Sequence, residues 1–357
     1  MTIMTDTIQI NIKPTLNSRL SQVDFDDIDF GKVYSDHMFI SDFYNGQWQD
    51  FRVEPYDMLS LTPGSAILHY GQSVFEGLKA YKTESGEIAV FRPEMNFRRL
   101  NLSAERLCIP SISEEMFMEG LTEVLKLDKS WIPDLPNTSL YIRPYIFALD
   151  EYIGIRPSTN YKFIIFTCPV GAYYSKPLKL KIETEYSRAV QGGTGYAKAA
   201  GNYAGSLYPA KLAQEKGYDQ LIWTDGATHS YIEEAGTMNL MFMKGDKLIT
   251  ADTGDTVLRG ITRDSVITIA QEWGIEVEER KISVEEIITS LKKGEIVEAF
   301  GTGTAATIAS IEVIADDENE YIIPQPGPDS FSTRVFTELD NIKTGKIQDT
   351  HNWIYKV

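Results

Sequence analysis

Residues 193–205 read GTGYAKAAGNYAG, with one lysine, Lys198, among Gly, Ala and Tyr and no other charge in the stretch. A lysine that serves only solubility usually keeps charged or polar company. Glycine and alanine here let backbone and a ligand come close. Desolvation in such a pocket lowers an amine's pKa from about 10.4 toward neutrality, and a neutral amine attacks carbonyls. A solvated loop lysine is the alternative, and the company of the stretch decides between them.

The chain has 357 residues, 43% hydrophobic and 24% charged, enough for about two domains of roughly 150 residues with ordinary cores. A net charge of −17 repels nucleic acid and anionic membranes, so an anionic ligand needs a local positive site. Cys108 and Cys168 are far apart, and with four histidines they form no metal-ligand spacing. So few thiols suit a reducing compartment. No apolar run has the length of a membrane span. The start, MTIMTDTIQINIKPTLNSRL, lacks the apolar block of a secretory signal and the arginines of a transit peptide. A cytoplasmic protein with a loose or partly ordered N-terminal arm is expected.

Outward from the lysine, strands and helices alternate in both directions, which gives mixed α and β throughout. Upstream, Leu78–Phe91 reads as a hairpin turning at Glu84-Ser85-Gly86, and EMNFRRLNLSAERL as a helix after Pro93. SEEMFMEGLTEVLKL is a second helix capped by Ser113, followed by the strands SLYIRPYIFAL and YKFIIFTCPV. GAYYSKP breaks the pattern, which places a linker at 173–181 between domains 1–172 and 182–357. Downstream come the strand LKLKIETEY, a helix SLYPAKLAQEKG, strands YDQLIWTDG and TMNLMFMKGDKLIT, the helix TRDSVITIAQEWG and a strand IEVEERKI. SVEEIITSLKKG carries a capping box from Ser283 to Glu286, and EIVEAFGTGTAATIASIEVI reads strand, small-residue loop, strand.

Three further segments keep company with Lys198. In YIEEAGTMNLMF two glutamates enter a strand, and alternation sends one inward and one outward. An inward carboxylate can hold a protonated ring nitrogen; two solvent-facing acids are the alternative. LRGITRDSV puts Gly260 before a helix start, where free N–H groups favour an anion, and AFGTGTAAT offers backbone donors and hydroxyls. No GxxxxGK[ST] loop occurs. Arg98 and Arg99, adjacent on a helix, supply local positive charge.

Together these segments resemble the fold-type IV enzymes that use pyridoxal 5′-phosphate, and within them the branched-chain amino acid aminotransferase family. FGKVYSDHM, LHYGQSVFEGLKAY, FRPEMNFRRLNLSAERL, LYIRPY, CPVGAYY, KAAGNYAGSL, EEAGTMN, LRGITRDS and FGTGTAA look like that family's segments in the right order, over nearly the whole chain. The resemblance implies an α/β (mixed α+β) two-domain fold, each domain a mixed sheet or pseudo-barrel with helices and the active site between them. It implies transamination of leucine, isoleucine and valine with 2-oxoglutarate by a ping-pong mechanism.

By the same resemblance Lys198 is the Schiff-base lysine and proton shuttle. Glu234 pairs with the pyridine nitrogen, with Glu233 as its outward neighbour, and Tyr203 bonds the cofactor's phenolic oxygen. Arg99, the N–H groups of Ile261 and Thr262, and Thr304 hold the phosphate, while Arg98 is solvated. Phe30, Tyr70, Phe75, Tyr141 and Tyr173 surround a branched side chain, joined by Thr237. Thr304 and Ala305 take the substrate carboxylate, and Arg143 the second carboxylate of glutamate. Pocket residues shared between subunits imply a homodimer. Animal members carry a redox CxxC after the GT-A loop, whereas this chain has Ala306 and Ala309, so no thiol switch is expected. A D-amino acid transaminase or aminodeoxychorismate lyase would share the cofactor residues, although the long N-terminal half disfavours both. An inactive phosphate-ligand binder is disfavoured by the intact Lys198, Tyr203 and Glu234.

Overall fold

The computed structural model describes residues 8–174 and 176–357. The chain divides into two compact units, Met1–Tyr173 with Ile342–Val357, and Tyr174–Asn341. Among the described residues, unit 1 contains strands β1 (Asn11–Ile12), β2 (His37–Tyr44), β3 (Gln47–Pro55), β4 (Ser73–Phe75), β5 (Leu78–Lys82), β6 (Ile88–Phe91), β7 (Ser139–Ala148) and β8 (Tyr161–Val170). They form one sheet in the order β1-β3-β2-β8-β7-β5-β6, ending on the returning strand Ile354–Lys356, with β4 on β7. Helices α2 (Pro93–Arg106) and α3 (Glu114–Leu127) cover it, after the short α1 (Ala66–Tyr70). Pro93 begins α2, where its missing N–H is harmless. Ser113 Oγ accepts the Met116 N–H at the start of α3. The apolar face of α3, with Phe117, Leu121, Val124 and Leu125, packs on Phe39 and Phe163 of the sheet in one core.

In unit 2 the strands are β9 (Leu178–Ile182), β10 (Gln220–Thr224), β11 (Tyr231–Ala235), β12 (Met238–Lys244), β13 (Lys247–Thr250), β14 (Val277–Glu279), β15 (Ile282–Ser283), β16 (Ile296–Gly303), β17 (Thr307–Ala315) and β18 (Glu320–Ile322). The path β12-β16-β17-β9-β10-β11 closes on itself because β11 also pairs with β12, which makes a barrel. Leu180, Ile222, Leu240, Phe242, Ala299 and Ile311 share its core. The helices are α4 (Ala200–Glu215), α5 (Ile261–Glu272), α6 (Val284–Lys292) and α7 (Phe331–Lys343). Ser283 caps α6 through the Glu286 N–H.

Several local expectations need correction. The stretch YIEEAGTMNLMF is a hairpin, not a strand entry: β11 turns at Gly236, which has a φ of 55° that favours glycine. α4 begins at Ala200, well before the expected SLYPAKLAQEKG, and carries Pro209 inside; the alanines ahead of it favour helix. IEVEERKI is broken into β14 and β15, which pair with β13 and β11 respectively. The first seven residues of the expected N-terminal arm lie outside the described residues. Just beyond them β1 pairs in parallel with β3, and the Thr15 N–H donates to His37 Nε2 at 2.9 Å.

The expected domain 182–357 and linker 173–181 also differ from the units. β9 already starts at Leu178, and Ile342–Val357 groups with unit 1. The returning strand pairs antiparallel with β6, Ile354 opposite Phe91. Trp353 packs edge-on against Phe91 with centroids 5.6 Å apart, and Arg92 lies 5.1 Å over its ring. The Arg92 N–H donates to Trp353 O at 2.7 Å. Turn residues could not reveal this long-range pairing. Trp353→Ala is expected to destabilise unit 1 by about 3 kcal/mol, the usual scale for a buried aromatic. Hydrogen exchange should quicken at Val90 and Phe91, while β9 and β12 keep their protection.

Candidate active site

Lys198 is half-buried, two residues ahead of α4. The loop that carries it is pinned by Asn202 on the first turn of that helix. Asn202 Nδ2 donates to Thr194 O at 2.7 Å and Ala197 O at 2.8 Å, and Thr194 Oγ1 donates to Asn202 Oδ1 at 2.6 Å. The same helical turn brings Tyr203 back beside the lysine, and Lys198 Nζ donates to the Tyr203 hydroxyl at 3.2 Å. Asn202 is a positioning residue that the sequence reading missed. An asparagine in a Gly/Ala-rich run is the signal that could have found it.

Glu234 is 4% exposed. Its Oε1 accepts the Leu258 N–H and Asn239 Nδ2, each at 3.0 Å, and Oε2 meets Arg188 Nη2 at 2.9 Å. Burial pushes this carboxyl above its ordinary value, and the Arg188 guanidinium works against that. Arg188 was also missed; it lies in the segment leading to the lysine loop. With Tyr203 and Thr237, Arg188 and Glu234 line one small cavity.

The expected outward face for Glu233 is wrong, because Glu233 is also buried, at 7% exposure. Trp223 pairs with Glu234 while the next residue, Thr224, pairs with Ile232, so Glu233 is the extra residue of a β-bulge. A bulge interrupts strict alternation, and both acids are withdrawn from water. Burial raises the Glu233 carboxyl as well.

The features that suggested an anion site lie on the same barrel. α5 starts at Ile261 and Thr262 after Gly260, with no side-chain cap bond, so its first N–H groups are available to a ligand. A Cβ on Gly260 would sit 1.9 Å from Asn239 Oδ1, so only glycine lets this turn approach Asn239. Thr304 and Ala305 occupy the turn between β16 and β17. Next to them Thr302 Oγ1 is buried without a hydrogen-bond partner. Thr302 stands opposite Asn239, which stands opposite Glu234. A clamped carboxylate, an amine beside a phenol, an uncapped helix start and an orphaned hydroxyl fit a phosphorylated pyridine aldehyde.

Unit 1 gathers the other expected residues. Arg99 is buried, with Nε 2.6 Å from Glu76 Oε1 and Nη2 2.9 Å from Oε2, and Asn96 Nδ2 also donates to Glu76 at 2.7 Å. Arg98 is exposed. Glu76, fully buried, was missed, although its FEG context in a strand-to-strand connection is a signal. Phe30 packs edge-on against Tyr141 and Tyr173, with centroids 5.0 and 4.9 Å apart. Arg143 Nη2 donates to the Tyr141 hydroxyl at 3.1 Å, and the guanidinium lies 4.6 Å over Phe75. Tyr70 stands elsewhere, 42% exposed at the end of α1 with its ring against His69. Cys168 is cross-strand from Tyr141, and burial pushes its thiol up to about 11, which makes it inert.

A family model described as amino-transferase class IV matches residues 73–314. Branched-chain-amino-acid aminotransferase 2 of Bacillus subtilis (strain 168) is 43% identical over 356 residues, covering 98% of this chain and 97% of that protein. The crystal structure of the Escherichia coli branched-chain amino acid aminotransferase matches with a TM-score of 0.73 at 30% identity, covering 89% of this chain and 98% of that one. A T.th. branched-chain amino acid aminotransferase with pyridoxamine 5′-phosphate matches with a TM-score of 0.72 at 27% identity, covering 88% of this chain and 97% of that one. This chain belongs to the class IV amino-transferases, in the group of the branched-chain-amino-acid aminotransferases.

Proposed function

We propose that the protein reversibly transfers the amino group of leucine, isoleucine or valine to 2-oxoglutarate, in ping-pong order, with pyridoxal 5′-phosphate as cofactor. The observation that carries this reading is the amine of Lys198 beside the Tyr203 hydroxyl, on the same barrel as the clamped Glu234. When bound, the cofactor supplies an electron sink for the pair left when a substrate Cα loses its proton. Lys198 Nζ would hold the cofactor through its aldehyde, and its free amine would carry a proton to and from the substrate Cα. Tyr203 orients that amine and serves the phenolic oxygen. Glu234 keeps the ring nitrogen protonated, which strengthens the sink. The N–H groups of Ile261 and Thr262, the Thr304 hydroxyl and Arg99 bind the phosphate. Thr304 and Ala305 N–H groups take the substrate carboxylate, beside Thr237.

Phe30, Phe75, Tyr141 and Tyr173 select a branched apolar side chain, and the exposed Tyr70 joins them from the second copy of the homodimer proposed below. Arg143 answers the harder demand, since glutamate brings a second carboxylate whose unpaired burial costs several kcal/mol. Support for this role comes from its guanidinium being held by Tyr141 and Phe75 within the aromatic cluster. We further propose a cytoplasmic homodimer. Support for the dimer comes from apolar side chains exposed on unit 1, among them Met58, Leu68, Tyr70, Ile153 and Ile155. Among the described residues no helix is long and apolar enough to cross a membrane.

Lys198→Ala removes the tether and the proton carrier together. The visible absorbance of the holoenzyme is expected to vanish and turnover to fall by several orders of magnitude; near-normal turnover would sink the assignment. Glu234→Gln is expected to lower turnover by roughly two orders or more, on the scale of a lost buried charge pair. Glu233→Gln serves as the control with a smaller loss. Greater sensitivity at Glu233 would reverse the two roles. Arg143→Gln is expected to slow the single-turnover half-reaction with glutamate by about tenfold or more, the scale of one charge-assisted pair, and that with leucine far less. Equal losses in both half-reactions would mark Arg143 as structural.

A further inference from the structure

Arg188 has a place that packing alone does not explain. Its side chain is 10% exposed, and its Nη2 is shared between Glu234 Oε2, at 2.9 Å, and the backbone oxygen of Thr256. Its Nε is buried with no hydrogen-bond partner. Arginine is always charged, so this is a cation set where water cannot screen it. Around it stand two buried carboxylates, Glu233 and Glu234, and Glu233 Oε2 also lacks a partner. Arg188 therefore touches the one carboxylate assigned to the ring nitrogen, and does so through the oxygen that the Leu258 and Asn239 donors leave open.

We infer that Arg188 is a positioning residue that keeps Glu234 ionised and fixes its orientation toward the cofactor's ring nitrogen. The inference rests on the reading of Glu234 as that nitrogen's partner. Burial alone favours a protonated Glu234, which could not hold a pyridinium proton. Glu233 pushes in the same direction, while Arg188, the Leu258 N–H and Lys198 push the other way. On Glu233 itself Arg188 and Thr256 act downward, and Asp225 and Asp252 upward. Arg188 is the charge in direct contact, so its removal raises the Glu234 pKa. The pH range in which Glu234 can hold the cofactor then moves upward. Geometry adds a second effect: Arg188 fixes the Oε2 edge of the carboxylate while Thr256 O fixes Arg188, so the loop before α5 and the segment before Lys198 are tied through one guanidinium.

The test is pyridoxal 5′-phosphate affinity of the full-length enzyme, resolved of cofactor and titrated at pH 6.5, 7.5 and 9, with the visible band recorded at each pH. Arg188→Gln is expected to weaken binding about tenfold or more at pH 6.5 and to recover most of that loss at pH 9. Arg188→Lys, which keeps the charge, is expected to stay within about threefold of the parent at every pH. In a Glu234→Gln background the Arg188→Gln change should add no pH-dependent loss. A loss in Arg188→Gln that is equal at pH 6.5 and 9, or undiminished in the Glu234→Gln background, overturns the inference. Should Arg188→Gln fail to fold, Arg188→Lys decides alone: a loss beyond tenfold in it also overturns the inference. If Glu234→Gln by itself leaves affinity and spectrum unchanged, the reading of Glu234 fails, an outcome distinct from failure of Arg188.

Discussion

A carboxylate cannot be buried alone. Taking Glu234 out of water costs several kcal/mol unless its lone pairs are met, and Arg188, Asn239 and Leu258 meet them. The hairpin turn at Gly236 brings Asn239 back across from Glu234. Asn239 then divides its amide between that carboxylate and Leu258 O, 2.8 Å away. Leu258 in turn gives its N–H to Glu234. These bonds fix the loop that leads into α5, and therefore the direction of that helix start. One acid thus organises a turn, a loop and an uncapped helix end, so the carboxylate clamp and the start of α5 are set by a shared network rather than independently.

Unit 1 solves the same problem in a second place. Glu76 is fully buried and satisfied by Arg99, Asn96 and the Gly77 N–H. The result is a guanidinium whose fork is aimed by a carboxylate rather than left to solvent, which preserves its direction. On β7 Arg143 is held in a different way, among the faces of Phe75 and Tyr141 and by the Tyr141 hydroxyl. A cation held this way tolerates an apolar neighbour and still attracts an anion.

What the sequence made legible follows from range. Helix starts at Pro93 and Ser113 and the hairpin at Gly86 are local events, written in a few adjacent residues, and the structure has them. The segment order around Lys198 was enough to identify the family. The bulge that buries Glu233 was invisible, because it depends on which residues of β10 face β11. Arg188 and Glu76 were invisible for a related reason: a charged residue declares its partner only in three dimensions. Asn202 lay in plain view, yet the Ala-rich run around it read as loop rather than helix, so its capture of the Thr194 and Ala197 carbonyls could not be inferred.

The return of Ile354–Lys356 to β6 has a meaning for how the molecule is made. On the ribosome the strand β6 emerges early, with its outer edge open, and its partner follows only after the whole of unit 2. Unit 2 is translated in between and can fold as soon as it is out. Unit 1 must wait with an unpaired edge, a surface on which other chains can add strands. A message cut short anywhere before Ile354 therefore yields a polypeptide whose first unit is never sealed, however complete its lysine loop. The edge of β6 is therefore covered by the last strand of the chain to be made.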